Sequence, residues 1–549
     1  MTHTKRRLLA AVAALGAATM LAACSIQIKS APDPSIPADT MLVSADTGSP
    51  LFERNFNPYM VNKRVASYYI YEPLVILDNV TGTELPWLAT GYDVSDPTKV
   101  VFTIRDGVKW SDGEPFTTKD VAFTLQMLKD FPANDITGIW GFIDSVDSDD
   151  TTVTINLKAP DVPAAQLIAT TLIVPEHIWK DVKDPTTFRN PDPVGTGPYM
   201  LGNFAAQQYT MDKNPKYWQA DKVAAEHLIL PAVNTQLDIA TKGYDWAYSF
   251  ISDVDNAWVG AGNKNTYWFP PGGTIALFPN LTKAPFDDLN LRQGLSLSLD
   301  RKAVGDSAAE GYMEPAGQTN ILLPYQQEAL NPDIPDSGLI TKDDDKAIEF
   351  FEAAGYTQQG GKLVDASGQQ LTITITTANG YNDWLKGVQE VQKEWGALGI
   401  EVKVDTPQPA AYQLALRNGD FDMAMGGTGG TGSLFRDFNS LLSSSYLKPV
   451  GEEATNNFER YSNPEADGLL DQLKVATDPQ EQLEIGYQLQ DVVYNDLPVI
   501  SLYYGGSWGL MSDAKFTGWP SEKDPYASPK TYESTPLLVL THLKAVKHD

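Results

Sequence analysis

The sequence predicts an α/β fold, on three observations. Residues 371–376 (LTITIT) alternate apolar and polar side chains, the period-2 mark of a strand. Residues 384–396 then read as a helix, with Gly399 just past its end. Glu401-Val402-Lys403-Val404 is the next strand, and a strand, crossover helix and strand imply a parallel pair.

The remaining elements follow along the chain. Thr40-Met41-Leu42-Val43-Ser44 is a short strand, and Asn55-Phe56-Asn57-Pro58 a turn. Residues 68–74 read as the end of a helix stopped near Pro73. Residues 100–105 and 151–157 alternate as strands, and Trp110-Ser111-Asp112-Gly113 is a turn. Thr117 to Asp120 looks like a cap on a helix at 121–129. Val194-Gly195-Thr196-Gly197-Pro198-Tyr199 is a glycine-rich loop without the terminal lysine of a phosphate loop, so it takes no nucleotide role. Residues 421–425 form a further strand, followed by a Gly/Thr/Ser loop at 426–433.

The N-terminus carries targeting information. Lys5, Arg6 and Arg7 precede a mostly apolar run over 8–20, and small residues follow at the cut. That run is shorter than the roughly 20 residues a membrane span needs. The chain's one cysteine, Cys24, sits directly after Leu21-Ala22-Ala23. This resembles the lipobox of bacterial lipoproteins, in which the cysteine is lipidated and becomes the new N-terminus. Residues 1–23 are then a signal peptide, and 24–39 a lipidated cysteine and Pro-rich tether. Two or more acyl chains hold a protein stably at a membrane without a spanning helix. The expected location is extracytoplasmic, anchored at the outer face of the cell membrane or in a periplasm.

Composition excludes several classes. Removing the signal leaves 38 basic against 70 acidic side chains, a charge of −32, which repels nucleic-acid backbones. With one cysteine there are no disulfides in the body. His3, His177, His227, His542 and His548 show no metal-ligand spacing, and no G-x-S-x-G nucleophile motif occurs. No metal or cofactor is expected. The 12 Trp and 24 Tyr suit stacking on organic ligands, beside their ordinary packing role.

Gly91 to Leu125 (GYDVSDPTKVVFTIRDGVKWSDGEPFTTKDVAFTL) resembles the signature region of the family 5 extracellular solute-binding proteins, the oligopeptide/dipeptide-binding class of ABC importers. Val194 to Tyr199 resembles that family's GTGPY loop, and Asn214-Pro215-Lys216-Tyr217-Trp218 its NPxYW element. Lys283 to Asp288, Arg292-Gln293 and Leu299-Asp300-Arg301 resemble a third block, and Gly399-Ile400-Glu401-Val402 and Gly419 to Met423 follow in the same order. The resemblance implies a two-lobed periplasmic-binding-protein clamshell, type II-like, with an extra α/β subdomain. The expected division is lobe I at 40–282 with an insertion at about 75–190, lobe II at 283–498, and a return to lobe I over 499–549. Most motif residues are framework on this reading, with Asp120 and Asp300 capping helices.

The resemblance also frames the ligand. Peptide binders of the family follow the Asp-Met-Ala strand with a W-x-A-D-Y segment, whose Asp pairs with the peptide's ammonium. A buried ammonium without a charged partner is costly. Here that segment is Gly426-Gly427-Thr428-Gly429-Gly430-Thr431-Gly432-Ser433. Asn55 to Pro58, Leu85 to Ala89, Tyr244 to Ala247 and Tyr267 to Pro271 resemble the cello-oligosaccharide-binding branch. The expected function is capture of an oligosaccharide, cello- or β-gluco-linked, by hinge closure and delivery to ABC permease subunits. The expected body is monomeric and not an enzyme. Alternatives are an oligopeptide- or dipeptide-binding protein and, remotely, a secreted enzyme. The candidate ligand contacts are Asn55, Asn57, Tyr69, Trp246, Trp268, Trp384, Gly427 and Trp508, with Cys24 as the lipidation site.

Overall fold

A computed structural model describes residues 36–44, 51–233, 236–262 and 264–547. The signal peptide, Cys24 and most of the tether lie outside the described residues. Two sheets carry the architecture. One has seven strands, in the order Asn265–Trp268, Gly509–Ser512, Trp246–Tyr248, Thr40–Ser44, His227–Pro231, Gln208–Lys213 and Tyr199–Ala205. The other has five, in the order Glu401–Asp405, Thr372–Thr376, Met423–Thr428, Pro271–Pro279 and Ile500–Gly506. They form the bases of two lobes.

The strand–helix–strand unit is as the sequence predicts. Thr372–Thr376 pairs in parallel with Glu401–Asp405, and the helix Asn382–Ala397 crosses between them. Its Val388, Val391 and Trp395 repeat at helical spacing and are fully buried, so one stripe of the helix closes the sheet face.

The inserted segment has its own four-stranded sheet, in the order Ala89–Asp93, Lys99–Ile104, Thr152–Leu157 and Ile143–Ser148. The helix Thr118–Asp130 packs on it. Thr117 caps that helix in a capping box with Asp120, and Asp300 caps Arg301–Ala309 by accepting from the Ala303 N–H. The helix expected to end near Pro73 is only the single turn Ser67–Ile70. The glycine-rich loop explains itself by proximity: a Cβ on Gly195 would lie 1.9 Å from the Ile70 carbonyl oxygen. Those glycines let two backbones touch.

The lobe boundaries differ from the expected ones. Pro271–Pro279 and Ile500–Gly506 both belong to the second sheet, so the chain crosses at Phe269-Pro270 and returns at Ser507-Trp508. Pro271–Pro279 pairs with Met423–Thr428 on one side and Ile500–Gly506 on the other. The expected divisions at 282/283 and 498/499 therefore cut off two strands that the second sheet requires. The two crossings run side by side: Trp268 pairs with Gly509 below them and Pro271 with Gly506 above. The Ser507 N–H donates to the Pro270 carbonyl at 2.7 Å between them.

Candidate functional site

A cavity of about 270 Å³ opens beside the crossings. The second lobe supplies a floor of strand ends, including Gly272, Gly273, Gly427, Gly505 and Gly506. The first lobe supplies Tyr248, Lys530 and Tyr532. Trp384 and Trp508 form aromatic walls.

Glycine is needed at two places here. A Cβ on Gly506 would stand 2.6 Å from the Trp508 ring, so the bare backbone lets the indole lie against the strand. Gly430 has φ +78, and its Cβ would be 2.1 Å from the Gly272 carbonyl oxygen. The loop after Met423–Thr428 thereby folds tightly onto the neighbouring strand.

The aromatic walls are braced from behind. Trp508 packs on Phe250 and Phe269, with ring centroids 4.8 and 5.0 Å away, and so bridges the crossing. Trp384 meets Tyr381 edge-on at 5.2 Å and Tyr412 at 6.1 Å. Tyr248 and Tyr532 form an edge-to-face pair at 5.2 Å.

Three polar groups converge on the same space. Asp383, in the first turn of Asn382–Ala397, is the one carboxylate among the lining residues. Burial raises its pKa above the ordinary aspartate value, and backbone N–H groups partly offset this. The Tyr503 hydroxyl is buried with no hydrogen-bond partner among the described residues. Burial, followed by the nearby Asp383 charge, raises its pKa well above the usual tyrosine value. Lys530 stands 3.4 Å from Glu533 and over the Tyr532 ring. The arrangement offers stacking faces, backbone donors and acceptors, one acid, one hydroxyl and one cation to a buried solute.

The candidate contacts divide into three groups. Trp384, Gly427 and Trp508 line this cavity together. Trp268 lines a separate cavity of about 470 Å³ on the crossing, edge-on to Tyr325 at 6.0 Å. Asn55, Asn57, Tyr69 and Trp246, also expected as ligand contacts, are fully buried and line none of the cavities described here.

The reason is that the protein satisfies their polar atoms. Asn55 Oδ1 accepts from the Asn57 N–H, and its Nδ2 donates to Asn62. Asn57 Nδ2 donates to the carbonyls of Pro185 and Phe188, and its Oδ1 accepts from the Tyr59 N–H. The Tyr69 hydroxyl donates to the Thr531 carbonyl, and Trp246 Nε1 to that of Pro529. Sequence reasoning missed Tyr248, Asp383, Tyr503, Lys530 and Tyr532. Of these, Asp383 carried a signal, since it directly precedes Trp384.

Among the described residues no group of three or more His, Cys, Asp or Glu side chains is placed to hold a metal ion. No described helix is long and apolar enough to cross a membrane.

Comparison with known proteins places the fold. The oligopeptide-binding protein OppA of Bacillus subtilis (strain 168) is 25% identical over 479 residues, covering 82% of this chain and 85% of OppA. The periplasmic oligopeptide-binding protein of an oligopeptide ABC transporter from Thermotoga maritima superposes with a TM-score of 0.84 at 24% identity, over 93% of this chain and 99% of that one. A mannohexaose-bound structure of the same protein gives a TM-score of 0.76 at 25% identity, with the same coverage. Residues 84–448 match the middle region of the bacterial extracellular solute-binding proteins, family 5, and the chain belongs to that family.

Proposed function

We propose that this protein captures an oligosaccharide, β-gluco-linked in particular, in the cavity at the lobe crossing and hands it to the permease subunits of an ABC importer. The observation that carries this reading is the lining. Trp384 and Trp508 face a glycine floor, and the loop where peptide binders place an ammonium-binding Asp has none. Sugar rings have apolar faces that stack on indoles and hydroxyl rims that suit Asp383, Tyr503 and strand-end backbone groups. The mannohexaose of the Thermotoga maritima relative supports a carbohydrate in this architecture. The mechanism is closure about the paired crossings: ligand held by one lobe gains further contacts from the other, and that difference shifts the population to the closed form. Cys24, through two or more acyl chains, keeps the protein beside its permease.

One observation favours a second reading, a peptide ligand. Asp383 and Lys530 line the same cavity and would match the opposite charges of a peptide's termini. The peptide-binding relatives support it. Calorimetric titration with cellotetraose and with tri- and tetra-alanine decides between them. The oligosaccharide reading expects saturable heat with cellotetraose alone. Heat with the peptides alone, abolished in D383N, replaces it with the second reading.

A further inference from the structure

A larger cavity, of about 670 Å³, lies away from the crossing, between the inserted segment of the first lobe and the helices of the second. Leu167, from the helix Ala164–Ala169, lines one wall. The helices Leu434–Leu442 and Pro464–Val475 line the other. Its volume is that of a small-molecule site.

Arg436, in the first turn of Leu434–Leu442, belongs to this lining. Burial lowers the pKa of its guanidinium from the ordinary arginine value. No side-chain hydrogen bond or ion pair joins it to a described residue, because the carboxylates around it are engaged elsewhere. Asp437 accepts from the Thr431 N–H at 3.0 Å and the Thr431 hydroxyl at 2.6 Å. Glu533 takes Lys530 and Asn79 at 3.4 and 3.2 Å. Asp467 accepts from the Ser444 N–H and hydroxyl at 2.9 and 2.5 Å. Asp161 pairs with Lys474 at 3.2 Å, and Asp471 stands at the exposed rim.

A guanidinium has five N–H donors in a fixed fork that matches a carboxylate. Asp437 and Glu533 place opposite charge near the half-buried Arg436 but accept none of its guanidinium N–H groups, so the fork's donors are open to an incoming carboxylate. Ser440, Ser444 and Ser445 add hydroxyls to the same walls.

We propose that this cavity is a second ligand site, which takes a hydroxylated carboxylate of the hexuronic-acid kind, with its carboxylate on the Arg436 guanidinium and its hydroxyls on the surrounding serines. This goes beyond the capture site at the crossing and does not depend on what that site binds. The two walls come from different lobes, so occupancy here also favours closure.

The test is a thermal-shift and calorimetric titration of the full-length chain with sodium glucuronate, with glucose as the neutral counterpart. Glucuronate is expected to raise the melting temperature and glucose to do so much less. R436Q is expected to weaken glucuronate at least tenfold, and R436K to retain part of the binding because it keeps the charge without the fork. L167W fills the cavity from the opposite wall and leaves Arg436 in place. It is expected to lose glucuronate as well, which keeps the proposal testable if R436Q folds poorly. No response to glucuronate, an equal response to glucose, or undiminished glucuronate binding in both R436Q and L167W overturns it.

Discussion

Lys474 joins the two lobes at the side away from the crossing. Its ammonium lies 3.2 Å from Asp161 Oδ2, and its carbonyl accepts the Val162 N–H at 2.9 Å. Asp161 is in the inserted segment of the first lobe, and Lys474 is in the helix Pro464–Val475 of the second. Asp161 is almost fully buried while Lys474 is partly exposed, so solvent screens the pair from one side only. D161N removes the charge and keeps the shape. It is expected to shift the ligand-free protein towards an open form by about 1 kcal/mol. Small-angle scattering without ligand checks this: the radius of gyration of D161N exceeds wild type, and saturating ligand removes the difference.

Trp384 lines the crossing cavity with part of its ring available to a solute. W384A is expected to weaken the cavity's ligand about tenfold, equivalent to about 1.4 kcal/mol, with little loss of stability. Titration calorimetry with the ligand of the cavity measures it, and unchanged affinity would remove Trp384 from the site.

Asn57 gives the opposite pattern. It is fully buried and holds two backbone carbonyls and one N–H. N57A leaves those carbonyls without their donor, at an expected cost on the order of 1–3 kcal/mol. Ligand affinity of the folded protein stays at the wild-type value. Urea denaturation and ligand titration on the same variant separate the two effects.

Glu459 makes stability depend on pH. Both carboxyl oxygens are buried without a hydrogen-bond partner among the described residues, and burial pushes its pKa up to about 8. Its unfolded value is near 4.3. Between those values the folded state holds a proton that the unfolded state has released, so stability falls as pH rises. The contribution is fully present below about pH 4 and is lost as pH climbs through about 8. Glu72, raised to about 7 by burial and partly offset by hydrogen bonds, acts in the same direction. E459Q is expected to be more stable than wild type at pH 9 by at least about 1 kcal/mol and to flatten the decline. Melting temperatures from pH 5 to 9 test this; parallel curves for the two proteins contradict it.

The legible parts of this fold are those whose information is local. Thr372–Thr376 and Glu401–Asp405 alternate cleanly, and Thr117 and Asp120 sit at capping-box spacing, so each could be read from a few residues. The lobe crossing could not. Pro271–Pro279 opens with Pro-Gly-Gly, residues poor in strand propensity, and becomes a strand because partners over 140 residues away pair on both sides.

The candidate site divides the same way. Trp384 and Trp508 were visible as aromatics beside turn residues, whereas Asn55 and Asn57 looked equally suited to a ligand. What commits Asn57 to the framework is a pair of carbonyls 128 and 131 residues downstream. Tyr248, Lys530 and Tyr532 meet the second lobe's Asp383 only through the arrangement of the two lobes.

The central claim, that the crossing cavity holds an oligosaccharide, is tested most directly by a thermal-shift comparison of the full-length chain against two panels, cello- and laminari-oligosaccharides and di- to pentapeptides. A ligand that binds only the native state adds about 2.7 kcal/mol at 100 times its dissociation constant, which reads as a clear rise in melting temperature. The account predicts a rise with the oligosaccharides, reduced in W384A, and none with the peptides. A rise with the peptides alone would contradict it.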